Sequence, residues 1–173
     1  MIVALTGFMA SGKTTFGRAA AERLGWAFVD LDERITEAYG TPAALFATQG
    51  EARFREIETA VLSKTLAEAQ GYTVLALGGG TVLREENLRL IKQYATLIWL
   101  DTDYDIILSE LGNADRPVVH GRTPAQIRAL YDDRRPRYET AADITFPITT
   151  TDYNQVISDL AELLRTLKSP TLI

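Results

Sequence analysis

Five short apolar runs, separated by stretches with helical spacing, organise this chain. The first, Ile2-Val3-Ala4-Leu5-Thr6 ahead of Gly7, has the unbroken apolarity of a parallel strand covered on both faces. Thr14 to Leu24 places Phe16, Ala19, Ala20 and Leu24 on one stripe, and Gly25 acts as a stop signal. Trp26-Ala27-Phe28-Val29 predicts a second strand running into Asp30-Leu31-Asp32. Two helical stretches follow, divided at Gly40-Thr41-Pro42 and again at Gln49-Gly50. The second, from Glu51 to about Ala69, carries Phe54, Ile57, Val61, Leu62 and Leu66. Thr73-Val74-Leu75-Ala76-Leu77 predicts a third strand that enters Gly78-Gly79-Gly80.

Glu85 to Gln93 reads as a helix and Thr96-Leu97-Ile98-Trp99-Leu100 as a fourth strand, with Asp101 or Thr102 capping the helix after it. Gly112 to Arg122 is polar and aperiodic, long for a loop in a compact domain, and reads as a lid. Pro124 opens a helix expected to end near Pro136, and Ile144-Thr145-Phe146 is the fifth strand. The last helix sets Val156, Ile157, Leu160, Leu163, Leu164 and Leu167 on one face. Strands alternating with helices predict a three-layer α/β domain round a five-stranded parallel sheet, with residues 1–173 as one unit.

Composition narrows the function classes. The 173 residues, 46% of them hydrophobic, suffice for one well-buried core. A net charge of −5 without blocks of like charge excludes a basic footprint for duplex nucleic acid. Without cysteine, and with His120 as the one histidine, neither a disulfide framework nor a structural zinc site is expected. The apolar start lacks a basic leader, and no apolar run approaches the ~20 residues of a membrane span. A cytoplasmic protein is expected. Trp26 and Trp99 read as core, and His120 as an exposed loop residue.

Candidate chemistry begins at Gly7-Phe8-Met9-Ala10-Ser11-Gly12-Lys13-Thr14, which satisfies G-x-x-x-x-G-K-[ST] between a strand and a helix. Glycines let the backbone fold round phosphates, and the helix N-terminus adds the positive end of its dipole. Gly7, Met9, Ala10, Ser11, Gly12, Lys13, Thr14 and Thr15 are therefore the nucleotide-binding set, with Lys13 on the β- and γ-phosphates and the Thr14 hydroxyl on Mg²⁺. No Asn-Lys-x-Asp is present to read guanine. A motor or transporter ATPase would end a core strand in a metal-binding Asp where this chain has Gly78. Asp101 rivals for that role, but its place ahead of a helix favours capping. A compact kinase acting on a small acceptor remains.

Asp30 and Asp32 lie two apart at a strand end, so extended geometry would point both carboxylates at the phosphate loop. One could hold Mg²⁺ through water and the other accept the acceptor's hydroxyl proton; on the pair alone, helix capping is an equal alternative. Arg53 and Arg55 among Glu51, Glu56 and Glu58 read, taken alone, as surface ion pairs. Gly78-Gly79-Gly80 costs backbone entropy that close approach of a ligand would justify. Arg116 sits in the lid, and Arg134, Arg135 and Arg137 offer forks suited to carboxylate or phosphate, though basic residues near a helix end also complement its dipole.

Taken together, these pieces resemble the shikimate kinase family over nearly the whole chain. The phosphate loop, Phe28 to Asp32, Gly50 to Glu58, Gly78 to Gly80 and Arg134-Arg135-Pro136-Arg137-Tyr138 occur in the family's order, with Arg116-Pro117 where the family has its lid arginine. The resemblance implies a nucleoside-monophosphate-kinase-like fold with a mobile lid at about residues 112–122. It also implies transfer of the ATP γ-phosphoryl, with Mg²⁺, to the 3-hydroxyl of shikimate in aromatic amino acid biosynthesis. The expected protein is a monomer without nucleic-acid or membrane partners. Arg55 and Arg134 would clamp the carboxylate, overturning the surface reading of Arg55. Asp32 with Gly78, Gly79 and Gly80 would hold the ring and Asp32 would take the proton; Thr14 and Asp30 would serve the metal, and Arg116 would close on the transferring phosphoryl group. Two departures stand out: the family's adenine-packing arginine is replaced near Ser109-Glu110, and Thr41 to Phe46 lacks the usual Ile and Glu. The rival readings are another sugar-acid kinase, such as a gluconate kinase, and a catalytically silent nucleotide-binding homologue.

Overall fold

The computed structural model describes residues 1–112 and 122–168. Five strands form one sheet in the order β2-β3-β1-β4-β5, every pair parallel. They are β1 (Ile2–Thr6), β2 (Ala27–Asp30), β3 (Thr73–Ala76), β4 (Ala95–Thr102) and β5 (Ile144–Ile148). The helices are α1 (Lys13–Leu24), α2 (Leu31–Tyr39), α3 (Pro42–Glu68), α4 (Glu85–Tyr94), α5 (Tyr104–Gly112), α6 (Pro124–Ala141) and α7 (Tyr153–Lys168). A short 3-10 turn at Thr81–Leu83, not anticipated from periodicity, follows the triple glycine.

Alternation along the central strands builds two cores. Val3 and Leu5 of β1 and Ile98 and Leu100 of β4 pack with Phe16, Ala20 and Ala21 of α1 and Val156, Leu160 and Leu164 of α7. Ile2, Ala4, Leu97 and Trp99 face the other way, onto Leu31, Ile35, Leu62, Ile91, Ile107 and Tyr138. Both faces of the sheet are covered, which is why these strands read as continuous apolar runs. Truncating a residue such as Leu5, fully buried, would cost about 2–5 kcal/mol.

Local rules set most boundaries. Gly25 ends α1 in the left-handed conformation, its N–H bonding Ala21 and Glu22 carbonyls. Gly50, at φ 81° and ψ 167°, interrupts α3 where the sequence placed a division. Thr123 and Gln126 form a capping box over Pro124 at the start of α6. Pro147 sits in β5, an edge strand, where a missing ladder donor is tolerated.

Two expectations fail here. α6 does not end near Pro136 but runs on to Ala141, because burial of Tyr138 and Ala141 outweighs the one backbone bond a proline removes. Neither Asp101 nor Thr102 caps α5. Both lie within β4: Asp101 pairs with Arg135 at 2.8 Å, and the Thr102 hydroxyl donates to the Ser11 carbonyl at 3.0 Å.

Candidate active site

Parallel pairing brings the C-terminal ends of all five strands to one edge, where open α/β sheets bind ligands. The phosphate loop leaves β1 there, between the ends of β3 and β4. Its curvature depends on positive φ at Gly7, Ala10 and Gly12. A Cβ on Gly7 would stand 2.9 Å from the Leu100 carbonyl, and one on Gly12 2.2 Å from the Phe16 ring, so both glycines are obligatory. Ala10 accepts a conformation that costs a side-chain-bearing residue energy, as strained residues at binding loops do.

Lys13 opens α1 and is buried, its Nζ donating to the carbonyls of Gly7 at 2.9 Å and Phe8 at 2.8 Å. The ammonium is thereby held across the loop. Thr102 holds Ser11 from β4, and the Tyr131 hydroxyl donates to the Thr102 carbonyl at 3.3 Å. Met9 and Ser11 are buried, whereas Thr14 and Thr15 face outward at the loop's end.

Asp30 and Asp32 do not share an extended strand end. β2 stops at Asp30, which is the N-cap of α2: one carboxylate oxygen accepts from the Asp32 and Glu33 amides at 2.9 and 3.3 Å. The other accepts from the Thr14 hydroxyl at 2.5 Å. Capping and the link to the phosphate loop are thus the work of one residue. Thr14 and Asp30 offer adjacent hard oxygens, the donor chemistry Mg²⁺ prefers. Among the described residues no three His, Cys, Asp or Glu gather as a cage.

Asp32 stands one helical step further on and reaches the triple glycine. Each glycine there meets a different part of the cleft. A Cβ on Gly78 would lie 3.1 Å from Asp32 Oδ1 and 3.2 Å from Glu58 Oε1. One on Gly79 would lie 3.5 Å from the Gly7 carbonyl, the same oxygen that Lys13 bonds. One on Gly80 would lie 2.7 Å from the Arg55 guanidinium. Because the turn spans at most about 7 Å from first to last Cα, Asp32, the phosphate loop and Arg55 converge on one small space.

Arg55 is not the exposed ion-pair residue that its neighbours suggested. Its nearest carboxylate is Glu58, 2.8 Å away and fully buried, with Glu51 a looser 3.6 Å. The second Glu58 oxygen accepts from the Thr81 hydroxyl at 2.7 Å. Arg134 is half-buried on α6, its charge close enough to the Tyr138 hydroxyl to act on it, and that hydroxyl donates to the Gly79 carbonyl at 2.6 Å. Burial pushes the Tyr138 hydroxyl above its ordinary pKa, so it remains a donor. Arg55 and Arg134 therefore approach the same turn from α3 and α6. Arg135 belongs to Asp101 and lies over Trp99, 5.3 Å from the ring centre, while Arg137 faces Asp133.

Glu58, Thr81 and Tyr138 complete this arrangement without having been singled out as site residues. For Glu58 a signal existed: Phe54, Glu58, Leu62 and Leu66 recur at four-residue spacing, and the three apolar members are buried. Away from the triple glycine, Glu110 of α5 accepts from the Tyr153 hydroxyl at 2.8 Å, and the Tyr153 ring meets Phe16 edge-on. These residues occupy the region where the sequence lacks the family's arginine. Arg116, His120 and most of the expected lid lie outside the described residues.

A family model described as shikimate kinase matches residues 9–165. Among curated proteins, a shikimate kinase of Moorella thermoacetica is 37% identical over 165 residues, covering 94% of each chain. One of Salinibacter ruber is 42% identical over 153 residues, covering 82% of this chain and 74% of its own. Among solved structures, shikimate kinase from Acinetobacter baumannii in complex with shikimate superposes with a TM-score of 0.86 at 30% identity, covering 98% of this chain and 95% of that one.

Proposed function

The chain belongs to the shikimate kinase family and is an ATP-dependent kinase acting on a hydroxyl of shikimate, and we propose that the cleft round the triple glycine carries out transfer to the 3-hydroxyl. One observation carries this reading: a side chain on each of three successive glycines would meet, in turn, an aspartate, the phosphate loop and an arginine. The closeness of Asp32, the phosphate loop and Arg55 to this one turn supports reading them as base, phosphate cradle and carboxylate anchor of a single small acceptor site.

In this account Arg55 and Arg134 grip the carboxylate, and the bare backbone of Gly79 and Gly80 lets the ring lie close to the main chain. Asp32 orients the 3-hydroxyl and takes its proton. The hydroxyl oxygen bonds to the γ-phosphorus as the bond from that phosphorus to the β–γ bridging oxygen breaks, and the electron pair leaves with ADP. Such transfers pass through a loose transition state, so positioning and charge neutralisation dominate. Lys13 and the amides at the start of α1 neutralise phosphate charge, with Lys13 exchanging its loop carbonyls for phosphate oxygens. Thr14 and Asp30 would hold Mg²⁺, which when bound shields charge on the β- and γ-phosphates. Arg116 is assigned by resemblance to the same transferring group.

The reading also makes the protein a cytoplasmic monomer without nucleic-acid or membrane partners. A net charge of −5 without a basic block supports the lack of a nucleic-acid partner; no described helix is long and apolar enough to cross a membrane. Phosphorus–proton correlation NMR of the product tests the regiochemistry. Coupling of the new phosphate to the ring proton at carbon 3 is expected; phosphate on another ring carbon would overturn the assignment of Asp32.

A further inference from the structure

A ring of buried and half-buried polar groups leads away from Arg55 and back to it. It begins at the Arg55 carbonyl, which accepts from the Thr59 hydroxyl at 2.9 Å. Thr59 also lies 2.8 Å from Asn87 Oδ1. Asn87 Nδ2 donates to the Thr81 carbonyl at 3.0 Å, the Thr81 hydroxyl donates to Glu58, and Glu58 accepts from the Arg55 guanidinium. The circuit leaves Arg55 by its main chain and returns by its side chain. Asn87 and Thr81 are fully buried, and Glu58 is 1% exposed.

Asn87 is the member that the chemistry makes hardest to replace. Its planar amide presents an NH₂ donor group at one end and a carbonyl acceptor at the other, and here each end has a different partner on a different element. The donor fixes the main chain of Thr81, the residue directly after Gly80. The acceptor faces Thr59, one helical turn beyond Arg55. Glu58 is shielded from solvent, so its direction is set by its partners Thr81 and Arg55, and the direction of Arg55 in turn follows Glu58. The guanidinium also lies within 3.1 Å of where a Gly80 side chain would begin, so small displacements of this turn reach it.

We propose that Asn87 is a positioning residue for shikimate binding: by locking Thr81 to α3 it sets the orientation in which Arg55 meets the acceptor's carboxylate. This rests on the reading of Arg55 as carboxylate anchor. A residue that merely stapled α4 to the body would affect both substrates alike and would act independently of Arg55.

Two near-isosteric variants and one double variant separate these cases. Asn87→Leu is expected to raise the KM for shikimate about tenfold, as groups sharing one hydrogen-bond network commonly do, with the KM for ATP within about twofold of wild type. Thr59→Val, at the other side of the circuit, should show the same split and carries the test if Asn87→Leu folds poorly. Equilibrium titration then measures shikimate affinity in Arg55→Ala and in Arg55→Ala with Asn87→Leu. The second change should add less than about twofold once Arg55 is gone. Equal losses for both substrates, or a full additive loss in the double variant, would overturn the positioning role. Unchanged shikimate affinity in Arg55→Ala alone would instead refute the anchor on which the inference stands.

Discussion

At the scale of single residues, the proposed function divides the labour between substrates over two side chains. Lys13 is held over the phosphate loop by two carbonyls of that loop, so its charge is positioned before phosphate arrives. Lys13→Met should abolish turnover while the far-ultraviolet circular dichroism stays that of the parent; retained turnover would remove the loop from the mechanism. Arg55 lies on the other side of the Gly7 and Gly79 contact, beside buried Glu58. Arg55→Ala leaves buried Glu58 without its cationic partner and, in the proposed account, leaves the acceptor's carboxylate with one arm of its clamp missing. Shikimate binding should weaken by about 2–5 kcal/mol, with ATP binding unchanged, in parallel calorimetric titrations. Equal losses for the two ligands would contradict the division.

At the scale of elements, the glycine turn is where backbone and site chemistry meet. Gly80 has φ −104° and ψ −6°, angles open to any residue, so alanine there meets no backbone strain. What it meets is the Arg55 guanidinium at 2.7 Å. Gly80→Ala should therefore raise the KM for shikimate while Tm stays within about 3 °C of wild type, read by differential scanning fluorimetry. Most elements were legible because their determinants are local: the apolar run of β1, Gly25 after α1, Gly50 within α3 and Thr123-Pro124 before α6. The misreadings came from tertiary competition. Thr102 serves Ser11 rather than a helix end, and α6 passes through Pro136 because Tyr138 is wanted in the core. The site was readable to the same depth. Lys13, Thr14 and the glycines follow from spacing, whereas the pairing of Arg55 with Glu58 needed the phase of α3 on the sheet, and Asp32 reached the cleft from a helix rather than a strand.

At the scale of the whole molecule, the far end of the sheet is tied by Asp143, just before β5. Its carboxylate accepts from Lys92 of α4 and, at 2.8 Å, from the Leu97 amide of β4. Burial would raise its pKa, but Lys92 and that amide outweigh burial and hold it below the usual carboxylate value. A depressed folded-state pKa gives stability that is present above the unfolded value of about 3.9 and lost as pH falls through the folded one. Asp143→Asn should accordingly flatten the acid limb of the curve of Tm against pH below about pH 4; an unaltered limb would refute the tie. In the proposed account the cleft joins a nucleotide site at the loop after central β1 to an acceptor site at the ends of neighbouring β3 and β2. The most direct test of that union is ADP release followed in a coupled assay with shikimate, with gluconate and with no acceptor. Rapid, saturable release with shikimate alone, collapsing in Arg55→Ala, is the predicted result; comparable release with gluconate or without acceptor would contradict the account.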